Sequence, residues 1–120
     1  MSTAAIKTVT IGGKEIEFYK VRNKDLLRAV RLSIRAGANS GAGADAEIAS
    51  AAIIGSDEYE DIRDILLSSM IVPGIGDYTK YEQILDEIGL FADFELFSVA
   101  FELYLGKHLA ALAESGNTKQ

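Results

Sequence analysis

A pair of adjacent glycines, Gly12 and Gly13, constrains the fold of this chain more than any other local feature. They stand at the centre of the segment TVTIGGKEIEF, in which apolar and polar side chains alternate on both sides of the pair. Glycine at both central positions suits the positive φ angles of a two-residue hairpin turn. The segment therefore predicts a β-hairpin over residues 8–19, with Val9 opposite Ile16.

The remainder of the chain carries helical signals, either apolar periodicity or capping residues. Five segments show them: residues 24–36 with Asn23 as N-cap, an alanine-rich stretch ending near Gly55, a segment opened by Asp57 and Glu60, one opened by Thr79 and Glu82 and ending at Gly89, and residues 93–113. The spacing in the first predicts an inner face of Leu26, Leu27, Val30 and Ile34. The expected fold class is mainly α, a two-stranded N-terminal hairpin followed by about five helices in a small bundle.

The length of 120 residues fits one domain with one core. We expect a single helical domain over residues 1–113, which begins with the hairpin. The glycine-rich residues 37–45 offer no core side chain and predict a flexible connection, and the polar residues 114–120 predict a disordered tail. Cysteine is absent, which excludes disulfides, thiolate zinc sites and cysteine nucleophiles. The longest apolar stretch is interrupted by charges, so we expect a cytoplasmic protein rather than a membrane protein.

The net charge of −6 is unevenly distributed. Residues 1–36 hold eight Lys or Arg against three acids, a net +5, whereas residues 37–120 hold four against fifteen, a net −11. The two parts of the chain can attract each other, within one molecule or between copies.

Four cations of the first predicted helix share one face because they follow the i, i+4, i+7, i+11 spacing. They are Lys24, Arg28, Arg31 and Arg35. This basic ridge has three interpretations: a solvated face, a contact with an acidic partner such as the 57–64 segment of a neighbouring copy, or a phosphate contact. The acidic total charge and the lack of stacking aromatics beside the ridge argue against nucleic acid.

The last predicted helix is apolar almost all round. One side carries Phe94, Phe97, Phe101, Tyr104, His108 and Leu112, and nearly the opposite side carries Leu96, Val99, Leu103 and Ala110. Such a helix is either buried on both flanks at the centre of the core, or one flank is an exposed patch for self-association or a client. The second interpretation predicts a protein-binding surface formed by Phe94, Phe97, Phe101, Tyr104 and Leu112.

Motifs for catalysis or metal binding are incomplete. His108 is the sole histidine, and its aromatic neighbours indicate a packed side chain. The segment GIGDYT has Thr79 where a dinucleotide-binding loop has its third glycine, and it does not follow a predicted strand. The acidic segment SDEYEDIRD lacks the glycine and terminal glutamate of an EF-hand loop. We therefore predict a non-enzymatic protein with no catalytic, cofactor or metal residues.

The order of these features, a TVTIGGKEIEFYKV ribbon, a helix from Asn23, a glycine-rich loop, an acidic helical body and a polar tail, resembles the tail assembly chaperones of long-tailed bacteriophages. The resemblance implies a protein of the host cytoplasm that acts in virion morphogenesis. It would bind and solubilise the tape measure protein until tail tube protein subunits polymerise around it. The aromatic flank would supply the client site, and the ribbon and basic ridge would serve self-association. An acidic helical binding module that mimics DNA or inhibits a host factor is the alternative.

Overall fold

The computed structural model describes residues 4–36 and 46–106, with the side chains of residues 46–49 left out. The predicted connection at 37–45, the predicted tail at 114–120, His108 and Leu112 lie outside the described residues. The described elements, in chain order, are β1 (Lys7–Ile11), β2 (Lys14–Phe18), α1 (Asn23–Arg35), α2 (Ala46–Ile54), α3 (Tyr59–Leu67), β3 (Ile71–Val72), β4 (Gly76–Asp77), α4 (Tyr78–Glu82), α5 (Leu85–Ile88), α6 (Leu90–Phe101) and a π-helical turn (Glu102–Gly106).

The hairpin forms in the predicted register. Val9 lies opposite Ile16 in the β1–β2 ladder. Gly12 and Gly13 have φ angles of 61° and 78°, which are the left-handed values that the two-residue turn requires. Local turn chemistry and strand alternation therefore suffice to specify this ribbon.

The predicted fold class is wrong, because the hairpin is half of a four-stranded antiparallel sheet in the order β1-β2-β3-β4. Glu17 of β2 pairs with Ile71, and Val72 pairs with Gly76 across a turn at Pro73. With six helices, the described chain is a small α+β fold rather than a mainly α bundle. The two added strands have two residues each, which is too short for an alternating pattern to appear in the sequence.

The helix boundaries differ from the predicted ones where capping boxes were assumed. Asp77, not Thr79, caps α4, since its carboxylate accepts a hydrogen bond from the Lys80 amide at 3.3 Å. The predicted fourth helix is divided into α4 and α5, although it ends at Gly89 as expected. The acidic turn before α3 makes no side-chain cap, and α3 begins at Tyr59.

The core is organised around α6, whose Leu96, Phe97, Ala100 and Phe101 are completely buried. Helices α2, α3 and α5 and strand β1 all pack on α6. At the hairpin turn, a side chain added to Gly12 would lie 3.3 Å from the Cβ of Ala92 in α6. The ribbon, which is marginal alone, therefore rests on the helices of its own chain.

The inner face of α1 overlaps only in part with the predicted one. Its buried residues are Ala29, Val30, Leu32 and Ser33. Leu27 and Ile34, which were predicted to face inward, are 50% and 41% exposed. Helix α1 packs on α3, and the buried Ser33 hydroxyl is satisfied by donating to the Ala29 carbonyl at 2.7 Å. The prediction is therefore right for Val30, which is buried, and for Leu26, which packs against the core, but wrong for Leu27 and Ile34.

None of the helices in residues 4–36 and 46–106 is long and apolar enough to cross a membrane.

Candidate interaction surfaces

The predicted aromatic flank lies mostly in the core. Phe97 and Phe101 are fully buried and Tyr104 is nearly so, whereas Phe94 is half-buried. The Phe97 ring meets Tyr59 edge-on, with centroids 5.0 Å apart, and stacks on Phe101 at 6.1 Å. Three of the rings predicted to bind a partner are therefore occupied by contacts within the chain.

Tyr104, in the π-helical turn after α6, packs against the hairpin and the residue that follows it. Its ring meets Phe18 of β2 edge-on, with centroids 6.2 Å apart. Its hydroxyl donates to the Tyr19 carbonyl, which also accepts a hydrogen bond from Ser69 at 2.8 Å. Burial raises the pKa of the Tyr104 hydroxyl above its usual value. The polar tip of this side chain is satisfied internally, as expected of a core tyrosine.

An exposed apolar corner lies at the start of α6, and of its three side chains the sequence predicted only Phe94 as a binding residue. Leu90 is 64% exposed and Phe91 is 88% exposed, and the half-buried Phe94 follows one turn later on the same side. Gly89, with φ of 93°, ends α5 and redirects the chain so that α6 begins three residues earlier than predicted. We define Leu90, Phe91 and Phe94 as the apolar corner. The apolar pair Leu90-Phe91, which directly follows the helix-ending Gly89, was the available signal.

The four cations of the basic ridge are all exposed, as their spacing indicated. They project from α1 on the side opposite Ala29 and Ser33. Leu27 and Ile34 flank the ridge, so this face of α1 is both basic and apolar. Within the described residues, Lys24, Arg28, Arg31 and Arg35 form no ion pair.

An acidic ridge runs along the outer face of α3 and the turn before it. Its members are all exposed and lie at positions i, i+3, i+4 and i+7: Asp57, Glu60, Asp61 and Asp64. Asp64 accepts a hydrogen bond from the Tyr78 hydroxyl at 2.8 Å. Helix α3 packs directly against α1, so the acidic and basic ridges belong to neighbouring helices.

A buried polar network links α3, α4 and α6. Arg63 donates two hydrogen bonds to the Asp93 carboxylate, and it also donates to the hydroxyls of Tyr59 and Tyr78, each at 3.0 Å. Tyr81 donates to Asp93 at 2.8 Å. Burial disfavours the charge of Arg63, but its hydrogen bonds to Asp93, together with electrostatic attraction to Tyr78, Asp93 and Tyr59, outweigh this effect and hold its pKa above the usual value.

The tyrosines of the network are held in the neutral form. Burial is the largest cause that raises the pKa of Tyr78 and of Tyr81. For Tyr81, its hydrogen bond to the Asp93 carboxylate raises the pKa further, because the phenolate could not donate it. The network offers no unpaired nucleophile or base. We interpret it as a structural network that holds α3, α4 and α6 together.

The part of the chain that the structure describes contains no group of three or more His, Asp or Glu side chains arranged to hold a metal ion. A cleft of about 370 Å³ lies between β1 and the end of α6, and it is lined by Lys7, Val99, Glu102 and Leu103. One lysine and one carboxylate on an apolar wall do not form a nucleophile–base pair of the kind that catalysis uses. Among the described residues, the features suited to binding are the surfaces: the apolar corner and the two charged ridges.

Comparison of the chain with protein-family models, with curated proteins and with solved structures finds no match. Function is therefore inferred from the exposed surfaces and from the layout of the chain.

Proposed function

We propose that this chain is a tail assembly chaperone of a long-tailed bacteriophage, a non-enzymatic protein of the host cytoplasm. It binds and solubilises the tape measure protein and promotes assembly of the tail tube around it. The resemblance of the chain layout suggests this family. The physical observation that supports the proposal is the apolar corner, where Leu90 and Phe91 leave most of their side-chain surface in water.

The apolar corner suits a helical client for a physical reason. A partner helix binds through apolar side chains that repeat along one face, and it needs exposed apolar area on the receiving protein. Phe91 and Phe94 are three residues apart in α6, so their rings lie on one side of the helix. The Phe94 ring meets Tyr59 edge-on, with centroids 6.4 Å apart, and Tyr59 in turn meets the buried Phe97 at 5.0 Å, so this side of α6 rests on the core. The client surface is thus smaller than the flank predicted from the sequence.

Co-expression with the tape measure protein of the same phage tests the proposal. The variant Leu90→Ser with Phe91→Ser should leave the tape measure protein aggregated, whereas the parent chain keeps it in the soluble fraction. Ile6→Ser is the matched control, because Ile6 is 51% exposed and lies at the start of the hairpin. Both variants should keep the circular dichroism spectrum of the parent. A corner variant that solubilises the client as well as the parent does would reject the corner as the client site.

The acidic ridge favours a second candidate function, an acidic module that inhibits a host factor. Under this alternative, expression of the chain in the host slows growth, and Glu60→Lys with Asp61→Lys relieves the effect. Under the chaperone function, the same substitutions leave solubilisation of the tape measure protein unchanged. The exposed basic ridge on the neighbouring helix counts against close mimicry of DNA, because duplex DNA presents negative charge throughout.

A further inference from the structure

We infer that two copies of this chain associate through their α1–α3 faces, with the basic ridge of each copy seated on the acidic ridge of the other. The inference concerns a second copy and does not depend on the identity of the client. It starts from two exposed rows of opposite charge on neighbouring helices.

The spacing of the two ridges is compatible with direct pairing. Arg31 and Arg35 are four residues apart in α1, and Glu60 and Asp64 are four residues apart in α3. At 1.5 Å per residue, both pairs are separated by about 6 Å along their helices. Two helices laid side by side can therefore bring both cations to both carboxylates at once.

The cations of α1 have no counterpart among the described residues of their own chain. The one exposed ion pair there joins Arg22 to Asp25, at 3.0 Å, before the ridge begins. The acidic ridge of a second copy is the complementary surface that the chain itself provides.

The arrangement of α1 beside α3 favours a two-fold contact. A two-fold rotation that places α1 of one copy on α3 of the other also places α3 of the first on α1 of the second. The two contacts can form in one interface because α1 and α3 are neighbours. The contact between a basic ridge and an acidic ridge then forms twice in the dimer. The exposed Leu27 and Ile34 lie beside the cations and add apolar area, which the charged groups alone would lack.

Charge reversal on each ridge separately, and on both together, tests this contact. The basic-ridge variant carries Arg28→Glu and Arg31→Glu, and the acidic-ridge variant carries Glu60→Lys and Asp61→Lys. Molar mass is measured by light scattering and sedimentation over a wide range of concentration, at low and high salt. We expect a salt-sensitive dimer for the parent chain and a weakening on the order of tenfold or more for either variant, because each then opposes like charges.

Two mixtures make the test specific. An equimolar mixture of the two variants should form a heterodimer, since every contact between them again joins opposite charges. A chain that carries all four substitutions should also recover the parent dimer. The control Glu95→Lys changes an exposed acid on α6, outside both ridges, and should leave the parent mass unchanged.

Three results would overturn the inference. The first is a parent chain that stays monomeric at every concentration at low salt. The second is a parent dimer whose mass neither variant changes. The third is a mixture of the two variants that stays monomeric although each variant is folded. Binding of the parent chain to a short duplex DNA, lost in the basic-ridge variant and accompanied by no dimer, would assign the ridge to nucleic acid instead.

Discussion

Arg63 and Asp93 form a bidentate ion pair, with Nη1 of Arg63 at 2.7 Å from Oδ2 of Asp93 and Nη2 at 2.8 Å from Oδ1. The two residues are 30 positions apart, so the pair joins α3 to α6. Three tyrosine hydroxyls complete the network. Among the described residues, no buried side-chain nitrogen or oxygen is left without a hydrogen-bond partner. The pair therefore fixes how α3 is placed on the central helix.

Removing one member of this pair should be costly. Asp93→Ala leaves the buried guanidinium of Arg63 without its counter-charge, and the free energy of unfolding should fall by about 3–5 kcal/mol. Glu95→Ala, at an exposed position of the same helix, should change it by less than about 0.5 kcal/mol. Unfolding in urea measures both. Replacing the pair together, by Arg63→Met and Asp93→Leu, should cost less than Asp93→Ala alone, and the opposite order would contradict this account.

The buried tyrosines predict a loss of stability in alkali. The pKa of Tyr81 and that of Tyr78 are raised above 10 in the folded chain, first by burial. A raised pKa in the folded state contributes stability that is complete below the unfolded pKa, and this contribution is lost as the pH rises through the folded pKa. From about pH 10 upward, each tyrosine should lower the free energy of unfolding by about 1.4 kcal/mol per pH unit.

Denaturant unfolding between neutral pH and about pH 11 checks the alkaline prediction. Tyr81→Phe should make the curve shallower above about pH 10, since the titrating group is gone. Phenylalanine also removes the hydrogen bond to Asp93, so this variant should be less stable than the parent at neutral pH. A slope unaffected by the substitution would show that other groups control alkaline unfolding.

The sequence predicted those parts of the fold that local chemistry determines. The hairpin register followed from two glycines and a two-residue alternation, and α1 was placed to within one residue at each end. Strands β3 and β4 were missed because a two-residue strand has no periodicity, and Ile71 becomes a strand residue only by pairing with Glu17 of the distant hairpin. That pairing is a tertiary effect, which a local pattern does not contain.

The candidate surfaces were also predicted only in part, because local spacing does not show which faces the rest of the chain covers. Helical spacing was enough to place Arg28 and Arg31 on an exposed face. It could not decide which side of α6 the rest of the chain would cover, so Phe97 was assigned to a binding flank and Phe91 was passed over. The network was also missed, although Arg63 is the one cation in an acidic segment and Asp93 lies in an apolar one. Their proximity depends on how α3 packs on α6.

The hairpin turn predicts that substitution by alanine lowers the stability of the fold by different amounts at Gly12 and at Gly13. Gly12→Ala and Gly13→Ala both place a Cβ on a left-handed backbone, which costs about 1–2 kcal/mol. At Gly12 the added Cβ also lies 3.3 Å from Ala92 and 3.6 Å from Ile88, whereas the space around Gly13 is open. Thermal unfolding should show the Gly12 variant to be the less stable of the two. Equal melting temperatures would indicate that the hairpin does not press on α6.

Two phenylalanines of α6 should differ strongly in how much they contribute to stability, because one is in the core and the other is on the surface. Phe97 is fully buried against Tyr59 and Phe101, so Phe97→Ala removes a packed ring and should cost about 3–5 kcal/mol. Phe91 is 88% exposed, and Phe91→Ala should change the free energy of unfolding by no more than about 0.5 kcal/mol. Urea unfolding of both variants measures the contrast within one helix. If Phe91→Ala were as destabilising as Phe97→Ala, the Phe91 ring would be covered within the chain, and it would no longer be available to a client.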